Sequence, residues 1–202
     1  MKYSNFEGAA NFLFEAGILA KTPRSGFHFL GSGEQSVAEH VNRVTYVGFT
    51  MAMMDGTVDV GKVIQMCMFH DFAEGRTSDL NYVHQKYVQA DEEKALTELA
   101  KTLEFGDAIM ALMNEYKERK TQEALIAKDA DQIEFILSLK EQADIGNPRA
   151  SEWIQNAIKR LKTDIAKQLA EKILSTRSDA WWYTEKDGDW WVNRNGGSAK
   201  RF

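Results

Sequence analysis

Four polar side chains lie where the surrounding pattern calls for apolar residues. His40 falls on the apolar stripe of a predicted helix, three residues after Val37. His70 and Asp71 end the most hydrophobic stretch of the chain, and Asp131 lies on a helix face of otherwise small residues. An unpaired buried carboxylate or imidazole costs several kcal/mol unless it meets a partner or a metal. Two imidazoles and two carboxylates from three helices could share one divalent cation; Mn²⁺, Co²⁺, Fe²⁺ or Mg²⁺ suits such ligands.

Each of these residues, taken alone, has a purely structural explanation. A histidine on an apolar helix face is more often a hydrogen-bonded core residue than a metal ligand. A His-Asp pair such as His70-Asp71 arises easily by chance, and Asp131 alone would be an exposed residue of the acidic stretch 129–134. Only the combination indicates a site that binds metal.

Apolar residues that recur at three- and four-residue spacing predict the helices that must position these side chains. Only two prolines interrupt the chain, so long stretches are free to propagate as helix. Ser36 and Glu39 have the spacing of a capping box, which marks the start of the second helix. The predicted helices cover about residues 4–20, 36–55, 59–75, 89–103, 105–119, 121–142 and 151–175.

Two connectors and the end of the chain depart from this helical pattern. A Gly- and Ser-rich loop over 21–35 carries Arg24, and a polar and aromatic connector over 76–88 carries Asp79. Near the end, Trp-rich segments flank Asp187-Gly188, which predicts a short β-hairpin or, alternatively, an aromatic tail docked on the helices. We therefore expect one domain over 1–176, followed by a C-terminal aromatic extension over 177–202.

Composition limits the classes of partner. Hydrophobic residues make up 44% of the chain and charged residues 27%, values typical of a globular protein. The formal net charge of −5 argues against binding a nucleic-acid polymer through a broad basic surface. The longest apolar run, 63–69, is far shorter than the ~20 residues that span a bilayer, so we expect no membrane partner.

No signal-peptide pattern begins the chain, and the lone Cys67 fits a reducing compartment, so we expect a cytoplasmic location.

Three short motifs, taken in order and spacing, resemble those of the HD-domain metal-dependent phosphohydrolases. The motifs are SVAEH at 36–40, HDFAE at 70–74 and DQIE at 131–134. The resemblance covers about residues 6–146 and is closest to the 5′-deoxynucleotidase branch. Residues 24–27 and 76–79 also have counterparts in that branch or in its archaeal-type relatives.

The resemblance implies an all-α fold, an HD-domain helical bundle, and a role for each matched residue. It implies that one divalent metal ion is held by His40, His70, Asp71 and Asp131. It also implies that Glu74 and Asp79 are catalytic proton-transfer groups, without settling which is acid and which is base. Arg24 would bind the substrate's phosphate through its guanidinium group, although a solvated loop arginine is the alternative.

The activity implied is hydrolysis of nucleoside 5′-monophosphates, deoxyribonucleotides above all, to nucleoside and phosphate. The 5′-deoxynucleotidase branch commonly carries a tryptophan close after the loop arginine, credited with sensing the sugar. Here Ser25 and Gly26 follow Arg24, and the first aromatic residue is Phe27. We therefore expect weaker discrimination against ribose than in relatives that carry this tryptophan.

Two other functions fit the same motifs. One is hydrolysis of another phosphorylated nucleotide, such as a triphosphate or a guanosine alarmone, which would need more cations, and Arg76, Lys86 and Lys128 are available. The other is a metal-dependent nucleotide sensor without turnover. Retention of Glu74 and Asp79 argues against the sensor, because a sensor needs no proton-transfer groups. Relatives of this family are often dimers, so we also expect a homodimer.

Overall fold

Residues 4–183 are described by a computed structural model, and in this range helices joined by short loops make up the fold. Short 3₁₀ segments occur at Gly17–Lys21, His84–Lys86 and Ile158–Arg160. In these residues the only β-type pairing is an isolated bridge between Pro23 and Ser36, so the all-α prediction is confirmed. The α-helices are α1 Phe6–Ala16, α2 Phe27–Leu30, α3 Val37–Asp55, α4 Val60–Phe69, α5 Glu74–Thr77, α6 Glu92–Ala100, α7 Gly106–Glu118, α8 Gln122–Asp144, α9 Pro148–Ala157 and α10 Asp164–Ser175.

Side-chain caps fix where the three central helices begin. The Ser36 hydroxyl accepts from the backbone N–H of Glu39 at 3.2 Å, and the Glu39 carboxylate accepts from the backbone N–H of Ser36 at 2.7 Å. This is the predicted capping box of α3. Asp59 and Thr121 cap α4 and α8 in the same general way. Caps of this kind are worth about 1 kcal/mol each.

The core lies where α3, α4 and α8 pack against one another. Small residues allow this close approach: α8 buries Ala124, Ala127 and Ala130 completely or nearly so. On α3, a Cβ added at Gly48 would lie 2.5 Å from the Cys67 sulfur of α4. Helices this close bring side chains at their ends, and on their facing sides, within reach of a common ion.

The helix predicted over 59–75 is wrong beyond Phe69. Residues 70–73 form a turn with i→i+3 hydrogen bonds, such as the one from the Glu74 N–H to the Asp71 carbonyl, and the short α5 follows. Hydrophobic periodicity does not distinguish this tightened turn from continuous helix, because the apolar spacing persists through Phe72 and Ala73.

The helix predicted over 151–175 is two helices. α9 begins at Pro148, with Asn147 as its cap, and α10 begins after Thr163. A buried carboxylate holds the break: Asp129 of α8 accepts from the backbone N–H groups of Lys162 and Thr163 and from the Thr163 hydroxyl. The helix is interrupted by hydrogen bonds between residues 34 positions apart in the sequence. Local hydrophobic pattern does not indicate such a tertiary contact.

The predicted C-terminal hairpin falls mostly on residues outside the described range. The last described residues, Trp181 to Tyr183, form an exposed turn. Ser178 nevertheless contacts the domain, since its backbone N–H donates to the Asp144 carboxylate at 2.8 Å. The boundary between 1–176 and 177–202 stays a prediction.

Gly48 provides a test of the packing of α3 against α4. We expect Gly48→Ala to lower the free energy of unfolding by about 1 kcal/mol, because the new methyl group meets the Cys67 sulfur and the overpacking exceeds the gain in helix propensity. Chemical denaturation measures the change. The matched control is Gly17→Ala, where a Cβ meets nothing within 4 Å and φ is −65°, so stability should rise by about 0.4–1 kcal/mol.

Removing the Cys67 sulfur should reduce the destabilisation caused by Gly48→Ala. The double variant Gly48→Ala/Cys67→Ala should lose less free energy of unfolding than the two single variants lose together, since the alanine methyl at 48 takes part of the space that the sulfur leaves. A Gly48→Ala protein as stable as the native one would show that α3 and α4 are not in close contact here.

Candidate active site

Three helices bring two imidazoles and a carboxylate together in the core. His40 comes from α3, His70 follows the end of α4, and Asp131 comes from α8. The Nε2 atoms of His40 and His70 lie 3.3 Å apart. Asp131 Oδ1 lies 3.3 Å from His40 Nε2 and 3.9 Å from His70 Nε2. These three ligand atoms lie within 4.8 Å of one another, an arrangement that suggests divalent metal binding.

Hydrogen bonds on the far side of each ring determine which nitrogen faces the cluster. His70 Nδ1 lies 2.8 Å from the carbonyl of Cys67, and a carbonyl only accepts, so Nδ1 donates. His40 Nδ1 lies 2.5 Å from the Glu134 carboxylate. In the neutral imidazoles the Nε2 atoms then carry lone pairs that point at each other, which is unfavourable unless a cation or proton lies between them. The donor set therefore fits a metal ion.

Glu134 orients His40 and is itself fully hydrogen-bonded. Besides His40, its carboxylate accepts from Gln35 Nε2 at 2.7 Å, Arg43 Nε at 2.9 Å and the Ser138 hydroxyl at 3.1 Å. Burial opposes ionisation, but the bonds from His40 and the charge of Arg43 lower the pKa of Glu134 to about 2. In the sequence, Glu134 stands only as the last residue of the DQIE motif at 131–134. Its position three residues after Asp131 was the available signal.

The electrostatics of His40 show how strongly this pocket favours positive charge. Burial and the charge of Arg24 lower the pKa of His40, yet hydrogen bonding to Asp131 and Glu134 raises it to about 9. Burial also opposes ionisation of Asp131, but Lys128 and the histidines hold its pKa well below the usual value. The Lys128 ammonium donates to Asp131 at 2.7 Å.

Asp71 lies at the edge of the three-residue cluster. Its Oδ2 atom is 3.5 Å from His40 Nε2 and 3.3 Å from His70 Nε2, and it also accepts from Arg24 Nη1 at 3.0 Å. The turn over 70–73 thus places one oxygen of Asp71, Oδ2, against both histidines and Arg24. Burial raises its pKa, but His70 and Arg24 more than reverse this, so the carboxylate is ionised.

The three other residues singled out from the sequence lie around the same point. Arg24 Nη1 is 4.0 Å from Glu74 Oε2, and Arg24 Nε is 3.8 Å from Asp79 Oδ2. The Arg24 side chain is only 18% exposed, so it belongs to this group of charges rather than to a solvated loop. Burial and the carboxylates of Asp71 and Asp79 raise the pKa of Glu74 to about 10, and Glu74 Oε2 has no hydrogen-bond partner within residues 4–183.

Ser25, the residue directly after Arg24, joins the two loops of the site. Its backbone N–H donates to Asp79 Oδ2 at 2.8 Å, and its hydroxyl donates to the Asp79 carbonyl at 2.6 Å. Asn81 in turn donates its backbone N–H to the Ser25 hydroxyl at 3.0 Å. Ser78 has φ +63° and ψ 158°, a conformation that costs about 1–3 kcal/mol in a residue other than glycine. Ser25 therefore holds both the side chain and the backbone carbonyl of Asp79. Sequence reasoning missed this role of Ser25.

The cluster opens into a cavity of about 370 Å³. Arg24, Asp71, Glu74, Asp79 and Asp131 line it. Its lining also contains aromatic rings, among them Phe27 of α2, Phe135 of α8 and Trp153 of α9. The volume and the mixture of charged and aromatic walls suit a small phosphorylated molecule with a flat ring.

More cations line this cavity than the sequence suggested. Of the candidates named above, Arg76 pairs with Glu15 and Glu98 instead, and Lys86 is exposed and does not line the cavity. The lining contains Arg24 together with four further cationic residues: Lys117, Arg119, Lys128 and Arg160. Lys117 and Arg119 could not be found from sequence, because the pattern of α7 does not tell which end meets the site.

The fold is all-α, and its buried His and Asp cluster suggests divalent metal binding. Comparison with known protein families shows which class of protein this is. The sequence model of the HD domain family matches residues 16–174, so the chain belongs to the HD domain family. The resemblance to HD-domain phosphohydrolases of the 5′-deoxynucleotidase branch, expected from the motifs, is confirmed.

Similar proteins include two curated ones and a solved structure. The chain is 34% identical to "5′-deoxynucleotidase HDDC2" of Dictyostelium discoideum over 119 residues, which is 53% of this chain and 62% of that protein, less than two thirds of its length. It is 26% identical to the protein of the same name from Mus musculus over 69% of this chain and 72% of that one. A conserved hypothetical protein of Pyrococcus furiosus has a similar structure, with a TM-score of 0.71 and 27% identity over 83% of this chain and 99% of that one.

No helix within residues 4–183 combines the length and the apolar character that crossing a bilayer requires. The longest, α8, buries three charged side chains at Asp129, Asp131 and Glu134.

Metal binding tests the assignment of the cluster. We expect His70→Ala and Asp131→Asn to lose the stoichiometric Mn²⁺ or Co²⁺ that the native protein retains after dialysis, because each change removes one of the facing ligand atoms. Elemental analysis by plasma mass spectrometry measures the content. The control is His28→Ala, a change at an exposed histidine outside the cavity lining, which should bind metal as the native protein does.

Metal-free protein should also melt at a lower temperature than metal-loaded protein, since the buried ligands lose the cation they share. One equivalent of metal retained in both His70→Ala and Asp131→Asn would show that the metal binds outside this cluster.

Proposed function

We propose that this protein is a metal-dependent phosphohydrolase that removes the phosphate from nucleoside 5′-monophosphates, deoxyribonucleotides among them. The observation that carries the proposal is the convergence of Arg24, Glu74 and Asp79 on the same cavity as the buried histidine and aspartate cluster. The curated relatives named 5′-deoxynucleotidase support the substrate class.

His40, His70, Asp71 and Asp131 would hold one divalent ion, with Mn²⁺, Co²⁺, Fe²⁺ and Mg²⁺ as the candidates. When bound, such an ion polarises a phosphoryl group and lowers the pKa of water. The protein's contribution is to present Nε2 of both histidines toward one point, through the hydrogen bonds to Cys67 and Glu134.

Arg24 binds the phosphoryl group in this proposal. Its guanidinium group has five N–H donors in a planar fork, and within residues 4–183 its one hydrogen bond is to Asp71, at 3.0 Å. Arg24 Nη1 lies 4.0 Å from Glu74 Oε2 and Arg24 Nε lies 3.8 Å from Asp79 Oδ2, so both contacts are longer than hydrogen bonds. A phosphate dianion among these carboxylates needs such a charge-assisted contact to offset repulsion.

Glu74 and Asp79 move the protons. Hydrolysis requires one group to take a proton from the attacking water and another to give a proton to the leaving 5′-oxygen. Glu74 Oε2 is buried, and its raised pKa lets it hold a proton at neutral pH. Asp79 is fixed by Ser25, so both carboxyl groups flank the place where Arg24 holds the phosphate.

The aromatic part of the cavity would receive the nucleobase. Phe27, Phe135 and Trp153 present ring surfaces that can stack on a purine or pyrimidine. Ser25 has no ring to crowd a 2′-hydroxyl and is occupied by its bonds to Asp79 and Asn81. This supports weak discrimination against ribose.

One observation favours the second candidate, hydrolysis of a nucleoside triphosphate or a guanosine alarmone. Lys117 and Arg119 line the cavity, and no hydrogen bond or ion pair of their side chains is found within residues 4–183. Lys128 and Arg160, by contrast, are engaged with Asp131 and Tyr82. Two uncommitted cations could receive further phosphates.

A phosphate-release screen distinguishes these two activities. With the purified protein under Mn²⁺, Co²⁺, Fe²⁺, Mg²⁺ or Zn²⁺, we expect deoxynucleoside 5′-monophosphates to show higher kcat/KM than the matching triphosphates. Ribose and deoxyribose monophosphates should differ by far less than a thousandfold. Faster hydrolysis of triphosphates would assign the second function, and no release from any nucleotide would favour the sensor.

Substrates with a good leaving group test the proton transfers. We expect Glu74→Gln and Asp79→Asn each to lower kcat on a nucleoside 5′-monophosphate by about 10²-fold or more. One of the two variants should recover most of this loss on p-nitrophenyl phosphate, because its leaving group needs no proton, and that variant identifies the acid. The control is Glu171→Gln, a change at an exposed glutamate of α10 outside the cavity lining, which should keep native kcat. Native rates in Glu74→Gln and Asp79→Asn would leave both residues as structural groups.

A cytoplasmic location and a homodimer stay predictions.

A further inference from the structure

Tyr116 of α7 carries a buried hydroxyl that the helices around it do not use. The residue is 8% exposed, and its hydroxyl has no hydrogen-bond partner anywhere in residues 4–183. A buried polar atom without a partner costs folding free energy that an apolar atom of similar shape would not cost. Phenylalanine would fill the same space with the same ring, so packing does not explain the hydroxyl.

The phenol lies beside the proposed reaction centre. Its ring centroid is 5.9 Å from that of His70, and Lys128 Nζ lies 5.8 Å from the Tyr116 ring centroid while donating to Asp131. Tyr116 also lines the same cavity as Arg24 and Glu74. The Tyr116 ring therefore packs directly against the cluster, at the wall of the cavity where a ligand of the cluster would bind.

We propose that the Tyr116 hydroxyl donates a hydrogen bond to a non-bridging oxygen of the substrate's phosphoryl group. This inference rests on the proposed function and adds to it a contact from α7, an element that carries none of the proposed metal ligands or proton-transfer groups. A phosphoryl group has several acceptor lone pairs, and Arg24 cannot satisfy all of them. The Tyr116 ring lies against His70 and next to the Lys128 ammonium that bonds Asp131, so the phosphate end of the substrate is the nearer acceptor for α7.

Tyr116→Phe separates this role from packing, because it removes the hydroxyl and keeps the ring. We expect inorganic phosphate to bind the metal-loaded variant about tenfold more weakly than the native holoenzyme, measured by calorimetry. On a deoxynucleoside 5′-monophosphate, kcat/KM should fall by about tenfold or more. The melting temperature of the variant should be no lower than that of the native protein, since an unpartnered buried group has been removed.

The control is Tyr46→Phe, which removes the hydroxyl of an exposed tyrosine on α3 outside the cavity lining and should leave phosphate affinity unchanged. A phosphate affinity of Tyr116→Phe within twofold of native overturns the proposal, whatever its melting temperature. Phosphate binding does not depend on turnover. If the native protein hydrolysed no nucleotide but Tyr116→Phe still weakened phosphate binding, the proposed activity would fail and the phosphate contact of Tyr116 would stand.

Discussion

Two imidazole nitrogens that face each other at 3.3 Å set the main constraint on this structure. Each ring is fixed from behind, one by the Cys67 carbonyl and the other by Glu134, so neither can turn to relieve the opposed lone pairs. Only a positive charge between them makes the arrangement favourable. The close packing of α3, α4 and α8 around Gly48 holds the rings at this distance, and for this reason core packing and site chemistry are inseparable here.

The site concentrates carboxylates in the core, and most of them are individually compensated. Glu134 has Arg43, Asp131 has Lys128, and Asp71 has Arg24. A buried ion pair is weak evidence for stability, because desolvation offsets much of the attraction. These pairs fix geometry instead: each cation holds one oxygen of its partner and thereby limits the directions available to the rest of the carboxyl group. Glu74 is the exception, and its raised pKa reflects burial without a close donor.

Sequence periodicity predicted most helices, and polar residues on apolar faces, together with the family motifs, pointed to His40 and Asp131. The errors have a common cause. The break before α10 depends on Asp129, which bonds to Thr163 about 34 positions away, and the roles of Ser25 and Glu134 depend on residues in other elements. Local pattern records which face of a helix is apolar. It does not record which distant atoms will complete a polar side chain's hydrogen bonds.

In the described part of the chain, some buried polar side-chain atoms have no hydrogen-bond partner, and half of them lie at the cavity. Within residues 4–183, four buried side-chain atoms lack a hydrogen-bond partner, and two of them, Glu74 Oε2 and Tyr116 Oη, line the one cavity that contains the cluster. A low-dielectric site makes an unpaired group costly, and it also makes that group a strong partner for a ligand. The two unpaired groups lower the free energy of unfolding until an acceptor or a proton-exchanging group enters the cavity and bonds to them. The same two groups are therefore costly for folding and useful for binding and catalysis.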